Sequence, residues 1–547
     1  MDELAQAGLG PRPFARWSDT DVVPSSRNLA WLAERLGELT PAPAVPVSDI
    51  SVPDSALTEQ DVRALRRIVG DQAVHVDTET RLAHAGGQSY TDLIRRRSGH
   101  LVAVPDGVVR PSSHDEVADL LAEAGGLDIA IVPYGGGTSV VGGVEPFRGS
   151  HHAVVTVDLS LMNRLLEVDD LSQTARFEPG LTGPQAEVLL GKHGLTLGHV
   201  PQSFPRGTIG GFVATRSAGQ ASTGYGRMDE LVVALRAATP VGTLSLGTGT
   251  PNAAGPDLRA LFIGSEGTLG VLTELTLRVR PAPAERRYEM WTFPSFERGL
   301  EAVRELVQAD IAPDVVRLSD EEETATVLAS QGTAGRLAGL VSRLRGVREP
   351  AFCVVGWEGD SDAVQRRRRA ALTMLRGADA SSLGTRAGDA WRQHRFDGPK
   401  VRDALLDVGV LVETLETATS WSRLPKLYTA VAEALRESLA KQGTPPVVMT
   451  HVSHVYPTGA SLYFTVLARK LPEPDAALEQ WNRAKEAANS AIVAEAATIT
   501  HHHAVGRVHA PFLSAEVGDV GMSVLRSVKT ALDPDGILNP GVLIETA

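Results

Sequence analysis

The chain has 547 residues, 43% of them hydrophobic and 22% charged, which is an ordinary globular composition at the length of several domains. Its formal net charge of −13 argues against a nucleic-acid partner, because such partners are bound through basic faces. The first residues are acidic without an apolar segment, and no apolar run approaches about 18 residues. We therefore expect no secretory signal, no membrane span, a cytoplasmic location and at most peripheral membrane contact.

The first hundred residues predict loops around one clear helix, over 57–69. The run Arg95, Arg96 and Arg97 predicts a solvent-exposed helix end, since runs of like charge usually face water. From residue 101 the pattern changes to strands and helices in alternation. Ser113 is predicted to cap a helix, with Glu116 completing a capping box. Strands and one short helix are then predicted at 127–132, 153–159, 173–178 and 272–279, and at 184–192 respectively.

The predicted strand at 127–132 leads into the sequence Pro-Tyr-Gly-Gly-Gly-Thr-Ser-Val-Val-Gly-Gly at 133–143. Its glycines leave the backbone free to adopt positive φ and to approach a ligand closely. The stretch therefore predicts either a plain glycine loop or a loop whose N–H groups hold a pyrophosphate. A P-loop is excluded because no lysine ends the stretch. A Rossmann turn is excluded because position 140 is valine and the turn-rich sequence that follows does not open a helix.

Residues 284–500 predict a second α+β unit, which follows the proline-punctuated segment at 281–283. Its helices and strands are predicted at 295–310, 362–377, 421–442 and 476–497, and at 290–293, 352–357 and 461–467 respectively. The run of arginines at 366–369 predicts an exposed helix face. The single cysteine, Cys353, lies in an apolar run and predicts a buried strand residue outside any internal disulfide. A last helix is predicted over 521–532.

Three adjacent histidines, His501, His502 and His503, are the most unusual local feature. Consecutive side chains on a strand alternate, so only His501 and His503 are expected to share one side. A zinc site would need carboxylates from elsewhere, because no cysteine lies nearby. Histidines that face a cavity as acid/base or substrate-holding groups fit better, since imidazole titrates near neutrality. We therefore predict no metal.

Tyr463, in the predicted strand at 461–467, is by itself typical of a core tyrosine whose hydroxyl has a partner. Arg317 and Arg402 lie beside apolar residues, and each alone is typical of a salt-bridging arginine. Together in one cavity they would grip a phosphate or a carboxylate with two planar forks. The sequence leaves both possibilities open.

In order and spacing, the glycine-rich stretches at 133–143, 198–203, 208–219 and 264–274 resemble the FAD domain of the vanillyl-alcohol-oxidase superfamily. The whole chain resembles the alkyldihydroxyacetonephosphate synthase family. The stretches that carry this second resemblance are Gly-His-Val-Pro-Gln-Ser at 198–203, Val-Arg-Leu-Ser-Asp at 316–320, Val-Arg-Asp at 401–403, Leu-Glu-Thr-Ala at 415–418 and His-His-His-Ala-Val-Gly at 501–506. The family usually has aspartate where Gln202 stands and glycine where Ala504 stands.

The resemblance implies an α+β fold, with a two-subdomain PCMH-type FAD-binding domain, an α+β cap domain and a C-terminal tail that returns to the FAD domain. The expected units are an N-terminal helical and loop region at 1–100, the FAD domain at 101–283, the cap or substrate domain at 284–500 and the tail at 501–547. FAD is expected to be bound non-covalently, since Cys353 lies outside the glycine loops and the nearby histidines match no attachment motif. A homodimer is expected.

The activity that the resemblance implies is the exchange of the acyl group of acyl-dihydroxyacetone phosphate for a long-chain alcohol, through an adduct at flavin N5. This is a step of ether-lipid synthesis, catalysed by an FAD-dependent alkyl transferase. The alternative is an FAD-linked oxidase or dehydrogenase of a 2-hydroxy acid, in which a histidine takes the hydroxyl proton as hydride passes to the flavin. A binding module that has kept the fold and lost turnover is the possibility outside enzymes.

The same resemblance assigns roles to individual residues. Tyr463 takes the place of the active-site tyrosine, Arg402 that of the substrate-binding arginine, and Arg317 that of another arginine needed for activity. His501, His502 and His503 match the family's essential histidines. The residues expected to contact FAD are Pro133, Tyr134, Gly135, Gly136, Gly137, Thr138, Ser139, Gln202, Ser203, Phe204, Pro205, Arg206, Gly207, Thr208, Thr215, Arg216, Ser217, Ala218, Glu266, Gly267, Thr268, Leu269, Gly270, Val271 and Leu272.

Overall fold

The structure is a computed structural model that describes residues 4, 7–8, 12–19, 22–101, 103–330 and 347–544. Residues 1–3, on which the expected lack of a secretory signal partly rests, lie outside these ranges. Within the ranges, no helix has the length and apolar character needed to cross a membrane. Helices and sheets are mixed along the chain, which confirms the predicted α+β class.

The helices of the described ranges, numbered in chain order, are α1 (Ser26–Leu36), α2 (Glu59–Val69), α3 (Thr78–Ala83), α4 (Tyr90–Ser98), α5 (His114–Ala124), α6 (Gly183–Gly191), α7 (Ile209–Ala214), α8 (Ser222–Tyr225), α9 (Met228–Leu231), α10 (Arg259–Phe262), α11 (Phe296–Gln308), α12 (Glu321–Ser330), α13 (Ser361–Gly377), α14 (Thr385–His394), α15 (Gly398–Asp407), α16 (Leu424–Lys441), α17 (Pro474–Ala494) and α18 (Leu513–Leu532).

The strands of the same ranges are β1 (Val74–His75), β2 (Gly107–Val109), β3 (Ile129–Tyr134), β4 (Ala153–Asp158), β5 (Leu165–Asp169), β6 (Thr174–Phe177), β7 (Leu195–Thr196), β8 (Val232–Thr239), β9 (Gly242–Leu246), β10 (Val271–Arg278), β11 (Arg280–Pro281), β12 (Glu285–Phe293), β13 (Val315–Ser319), β14 (Ala351–Gly359), β15 (Ser381–Gly384), β16 (Val410–Ser420), β17 (Val447–Val452), β18 (Val455–Tyr456) and β19 (Gly459–Arg469).

Two sheets form the part of the chain that carries the glycine-rich stretches. The first has the strand order β1-β2-β4-β3, and its β2, β4 and β3 run parallel, as expected for continuous apolar strands buried on both faces. The second has the order β5-β6-β10-β8-β9 and is antiparallel. The glycine loop at 133–143 begins at the carboxyl end of β3, where strands of a parallel sheet offer their backbone ends to ligands.

The third sheet, of the order β15-β12-β14-β13-β17-β19-β16, is antiparallel throughout and has β18 at the side of β19. Helices α11, α13, α16 and α17 cover it, and the buried residues between them include Trp357, Phe464 and Cys353. Burial of Cys353 on β14 confirms its predicted position. Strands β16 and β19 pair along their whole length, which places Glu416 directly across from Tyr463.

The C-terminal tail returns to the first sheet, as predicted. Leu538 forms a parallel bridge with Ile131 of β3, and the Asn539 N–H donates to the Ile131 carbonyl at 2.8 Å. The Asn539 side-chain amide donates to the carbonyls of Gly143 at 2.9 Å and of Glu266 at 2.7 Å. One tail residue therefore joins two glycine-rich stretches. The proposed boundaries at 101, 284 and 501 stay predictions.

Predicted helix ends differ from the observed ones in small ways that have local causes. Helix α2 begins after Thr58, because Thr58 and Asp61 form a complete capping box there. Ser113 caps α5 as predicted, but the Glu116 carboxylate accepts from the N–H of Ser112 at 2.6 Å, which leaves the predicted box incomplete. The last helix, α18, starts earlier than predicted and is interrupted at Gly518, where φ is 71°.

The prediction that Arg95, Arg96 and Arg97 form a solvent-exposed helix end is wrong. Arg96 is 1% exposed, and its guanidinium donates to the Gly87 carbonyl. Arg97 is buried and donates to Asp407 at 2.5 Å. Arg95 donates to Glu145 at 3.0 Å. Each cation has its own acceptor in another part of the chain, and local charge patterning carries no information about such partners.

The arginine run at 366–369 agrees in part with the predicted exposed helix face. Arg366 and Arg369 are exposed on α13. Arg367 pairs with Asp314 at 2.8 Å, and Arg368 pairs with Glu289 at 2.6 Å. Half of this run faces water and half holds the helix to the sheet.

Candidate active site

The glycine loop at 133–143 is packed too closely for side chains at its first glycines. A Cβ at Gly136 would collide with the Arg206 carbonyl and lie 3.2 Å from the Gly207 Cα. A Cβ at Gly135 would collide with the Thr208 hydroxyl. Positive φ occurs at Gly137 (62°) and Gly142 (73°). The loop therefore needs glycine at 135 and 136 for close approach and at 137 and 142 for backbone conformation.

The glycine-rich stretches predicted to hold FAD meet in space. The glycine loop at 133–143 packs against residues 206–208, which a Cβ at Gly135 or Gly136 would meet. A Cβ at Gly267 would lie 2.7 Å from Pro133, and the Glu266 N–H donates to the Ala214 carbonyl at 2.9 Å. Three segments that are far apart in the sequence thus border one region.

The backbone of this region fits an anionic group. Within the described ranges, the N–H groups of residues 136–139 have no protein acceptor, whereas those of Val141 and Gly143 donate to the Ser139 hydroxyl at 3.4 Å and 2.9 Å. Successive unpaired N–H groups in a glycine turn form a concavity for anionic oxygens. The loop, with its crowded glycines, therefore fits a dinucleotide pyrophosphate.

Glu266 ties this region to the C-terminal tail. Its carboxylate accepts from the N–H groups of Val505 and Gly506, both at 2.9 Å. Burial raises the pKa of Glu266 to about 7. The Arg507 N–H donates in turn to the Val141 carbonyl of the glycine loop at 2.9 Å. The tail that carries the histidine triplet is thereby fixed to the predicted flavin loops.

The histidine triplet is organised by one buried carboxylate, Glu416 of β16. Glu416 is 1% exposed and accepts from the N–H groups of His501 at 2.6 Å, His502 at 3.1 Å and His503 at 2.9 Å. The Thr500 hydroxyl also donates to it at 2.6 Å. Burial opposes its charge, but the surrounding histidine rings and this hydroxyl hold the pKa of Glu416 well below its usual value.

The prediction that the triplet alternates along a strand is wrong, because residues 501–503 form a bend around Glu416. The rings consequently cluster, with centroid distances of 5.2 Å between His501 and His502 and 4.7 Å between His502 and His503. Burial lowers the pKa of all three rings, so they are neutral at pH 7. Neutral imidazoles are proton acceptors of the kind that general base catalysis needs.

Tyr463 packs against the triplet from β19. Its ring lies 5.9 Å from that of His502, 5.4 Å from that of His503 and, in a stacked arrangement, 4.8 Å from that of His451. Burial raises the pKa of Tyr463 to about 12, so its hydroxyl stays protonated. The tyrosine therefore lies in a cage of histidine rings formed by His451, His502 and His503.

Arg317 supports this cage from β13. It donates to His451 at 2.9 Å and to Glu323 at 2.5 Å, and Glu323 contacts the other ring nitrogen of His451 at 3.1 Å. Arg402 of α15 is held separately, donating to the Gln88 carbonyl at 2.8 Å and to the Gln88 side chain at 2.7 Å. Among the described residues no contact joins Arg317 and Arg402, so the joint grip that the sequence left open is not observed.

The sequence interpretation missed several members of the site. Glu416, Glu323, His451 and His454 each interact with a predicted residue, but they lie in two strands, a helix and the connection between β17 and β18, none of which carries a distinctive motif. The Glu416 motif was part of the family resemblance without an assigned role. Long-range pairing across β16 and β19 is what brings these side chains together, and no local pattern encodes it.

His454, His501 and His502 have ligand atoms within 4.8 Å of one another, which is a spacing compatible with a metal ion. Most of their nitrogens already have protein partners. His454 contacts Ser461 at 3.3 Å and the Gly219 carbonyl at 3.2 Å, and His501 contacts Tyr456 at 2.8 Å and His502 at 3.0 Å. A hydrogen-bonded acid/base network describes the cluster better than a ligand set.

Comparison with known proteins agrees with this geometry. The family described as FAD binding domain matches residues 105–246, and the family described as FAD linked oxidases, C-terminal domain, matches residues 282–543. The alkyldihydroxyacetonephosphate synthases of Dictyostelium discoideum and Trypanosoma brucei brucei are each 32% identical, over 93% and 90% of this chain and 84% and 82% of theirs. A solved alkyldihydroxyacetonephosphate synthase superposes with a TM-score of 0.83, at 28% identity, covering 97% of this chain and 99% of its own.

The fold and the two matched domains define the class of protein, which is an FAD-dependent enzyme of the PCMH-type flavoprotein superfamily. This confirms the predicted cofactor and the predicted fold. Identity and coverage then place the chain within that class: it belongs to the alkyldihydroxyacetonephosphate synthase family.

Proposed function

We propose that the protein exchanges the acyl group of acyl-dihydroxyacetone phosphate for a long-chain alcohol. The observation that carries this proposal is the buried cluster of His501, His502, His503 and Tyr463 around Glu416, joined through the tail to the glycine loop. Such a cluster offers neutral bases beside a protonated phenol, and both are needed when one oxygen nucleophile replaces another.

In the exchange, the bond between the dihydroxyacetone carbon and the ester oxygen breaks, and the bonding pair leaves with the fatty carboxylate. A new bond forms from the same carbon to the alcohol oxygen, and the alcohol proton is released. The reaction leaves the overall redox state unchanged. Bound FAD supplies an electrophile for the substrate carbon.

The residues take separate roles in this scheme. A neutral imidazole of the triplet accepts the alcohol proton, and the Tyr463 hydroxyl donates a hydrogen bond to the departing carboxylate. Arg317, through Glu323 and His451, holds the Tyr463 ring in position. Arg402 holds the phosphate of the substrate. FAD would be held by the backbone of residues 136–139 and by the other loops predicted to contact it.

Labelled hexadecanol tests the proposal directly. Purified flavin-loaded protein is expected to incorporate the label into an ether product when supplied with acyl-dihydroxyacetone phosphate, without consuming an electron acceptor. Tyr463→Phe is expected to slow this incorporation about 10²-fold while flavin content stays normal. Tyr428→Phe is the matched control, because its hydroxyl contacts Asp320 at 3.1 Å and no hydrogen bond or ring contact among the described residues joins it to the triplet.

Two results would contradict the exchange. Full bleaching of the flavin by a 2-hydroxy acid in the absence of oxygen, with no alcohol incorporation, would establish the dehydrogenase alternative. Flavin-loaded protein that is inert toward both substrate classes would indicate a binding role. A homodimer, non-covalent FAD, a cytoplasmic location and peripheral membrane contact remain expectations, to be tested by light scattering, acid precipitation and fractionation.

A further inference from the structure

A small cavity of about 30 Å³ lies where α4, β16, α17, the tail and the end of the glycine loop meet. Its walls include Lys485 of α17, Glu413 of β16 and His503 of the triplet, with apolar contributions from Val141 and Trp481. A space of this size is comparable with the volume of a water molecule, so it accommodates a head group of a few atoms and no alkyl chain.

Lys485 is the unusual member of these walls. It is 8% exposed and has neither a hydrogen bond nor an ion pair with any residue that the structure describes. Glu413 is 4% exposed and forms no ion pair with it. Burial of an ammonium group without a partner is costly, because the lost hydration is not replaced. An anionic ligand bound in this cavity would compensate for the lost hydration of Lys485.

The charges around the cavity favour an anion. Burial lowers the pKa of Lys485 to about 8, and burial raises the pKa of Glu413 to about 7. Near neutral pH the lysine is therefore mostly charged while much of the glutamate is protonated. The other titratable or charged groups that act on this pair are Glu416, His503, His509, Arg402, Asp92, Tyr90 and Tyr463.

We propose that the cavity binds the carboxylate group of a fatty acid and that Lys485 is its counter-ion. This inference rests on the proposed function, in which a fatty carboxylate leaves as the ester bond breaks. The electron pair of that bond ends on the carboxylate oxygens, and Lys485 stabilises the charge as it develops. The position of His503, which borders both the cavity and the catalytic cluster, brings the departing group next to the groups that act on the alcohol.

Glu413 acts in the opposite direction to Lys485. A bound carboxylate is favoured when Glu413 is protonated, so binding takes up a proton there. As pH rises, Glu413 gains charge and Lys485 loses it, and both changes weaken binding. Affinity for a carboxylate is therefore expected to fall about tenfold or more between about pH 6.5 and about pH 9.

Calorimetric titration of the full-length, flavin-loaded protein with decanoate tests the inference. Lys485→Met is expected to weaken decanoate binding at least about tenfold, and Lys485→Arg to retain it. Glu413→Gln is expected to bind decanoate as tightly as the parent or more tightly, and to lose the pH dependence near pH 7 while it keeps the fall in affinity above about pH 8 that comes from Lys485. Lys441→Met, at an exposed position on α16, is the matched control and is expected to bind normally.

Opposite outcomes are equally clear. Unchanged decanoate affinity in Lys485→Met, or a loss in Glu413→Gln as large as in Lys485→Met, would overturn the inference. If Lys485→Met fails to load flavin, the Glu413→Gln comparison and the pH dependence of the parent protein decide the question. Decanol, which lacks the charge, is expected to bind equally to all variants.

The proposed function is tested separately in the same preparation. Decanoate binding that depends on Lys485 in a protein without alcohol incorporation would refute the exchange and keep the carboxylate site. Alcohol incorporation together with decanoate binding that does not depend on Lys485 would refute the carboxylate site and keep the exchange. A lactate titration distinguishes the source of the carboxylate, since binding and bleaching by lactate would assign the cavity to a 2-hydroxy acid.

Discussion

The FAD side of the site consists mainly of backbone groups, whereas the cap side consists mainly of side chains. On the FAD side, the loop at 133–143 presents backbone N–H groups, and the glycines of this loop and of 264–274 allow a close approach. On the cap side, side chains from β13, β16, β17 and β19 form the surface, and the carboxylates Glu416 and Glu323 hold them. The backbone side is sensitive to added atoms, whereas the cap side is sensitive to a change of charge or of hydrogen-bonding capacity.

The largest effect is expected from an added side chain on the backbone side. Gly136→Val would force the loop away from the Arg206 carbonyl and Gly207, because a β-branched residue cannot occupy that space. Flavin content, measured from the ratio of visible to protein absorbance, is expected to fall below about a tenth of the parent value. Gly191→Val is the control, since a Cβ there meets no other atom within 4 Å. Normal flavin loading of Gly136→Val would show that the backbone side tolerates an added side chain.

On the cap side, Glu416→Gln keeps the shape and removes the charge. The amide replaces one of the two accepting oxygens by a donor that faces a backbone N–H of the triplet, so we expect a loss of about 3 kcal/mol in the free energy of unfolding and about 10²-fold in alcohol exchange. Flavin content is expected to stay near the parent value. Glu437→Gln, which loses only an exposed ion pair with Lys441, provides the baseline. Parent-like exchange in Glu416→Gln would show that the carboxylate does not organise the triplet.

A smaller effect is expected at the arginine run that supports the N-terminal edge of the site. Arg97→Met removes the bonds of this buried guanidinium to the Ala42 carbonyl and to Asp407, which keeps its bond from Arg16, at a cost of about 2 kcal/mol in the free energy of unfolding. Arg366→Met, in the exposed part of the other run, is expected to change stability by less than about 0.5 kcal/mol. Denaturant titration of both variants measures the difference, and equal values would refute it.

The smallest expected effect is a change in how steeply the free energy of unfolding depends on pH. Burial holds the pKa of His502 well below its unfolded value near 6.5, so the unfolded chain binds a proton below about pH 6.5 that the folded one does not. Stability from this residue is present above that pH and is lost as pH falls. In His502→Asn the pH dependence of the free energy of unfolding is expected to decrease by about 1.4 kcal/mol per pH unit below about pH 6. An unchanged slope would show that His502 is charged in the folded state.

The backbone side was largely predictable because its requirement for glycine is visible in the local sequence. The loop at 133–143 must approach other backbone closely, and only glycine permits that, so its sequence is constrained locally. The sequence did not show which of its glycines have positive φ, and the structure places that conformation at Gly137 and Gly142.

The cap side was not predictable in the same way. Its histidines were visible, but their arrangement depends on Glu416, which lies 85 residues before His501 and is aligned with Tyr463 only by strand pairing. The arginine runs make the same point, because Arg96 and Arg366 look alike in sequence and one is buried. Burial is a property of the packed fold, and charge runs do not encode their distant partners.

The bonds made by Asn539 set an order on biosynthesis. Its side chain joins the carbonyls of Gly143 and Glu266, and it lies 396 residues after Gly143. While the ribosome is still translating the cap, the first sheet lacks the tail segment that pairs with β3, and its glycine loop has no support on that side. We therefore expect the nascent chain to reach a flavin-competent state only once the segment around Asn539 has left the ribosome.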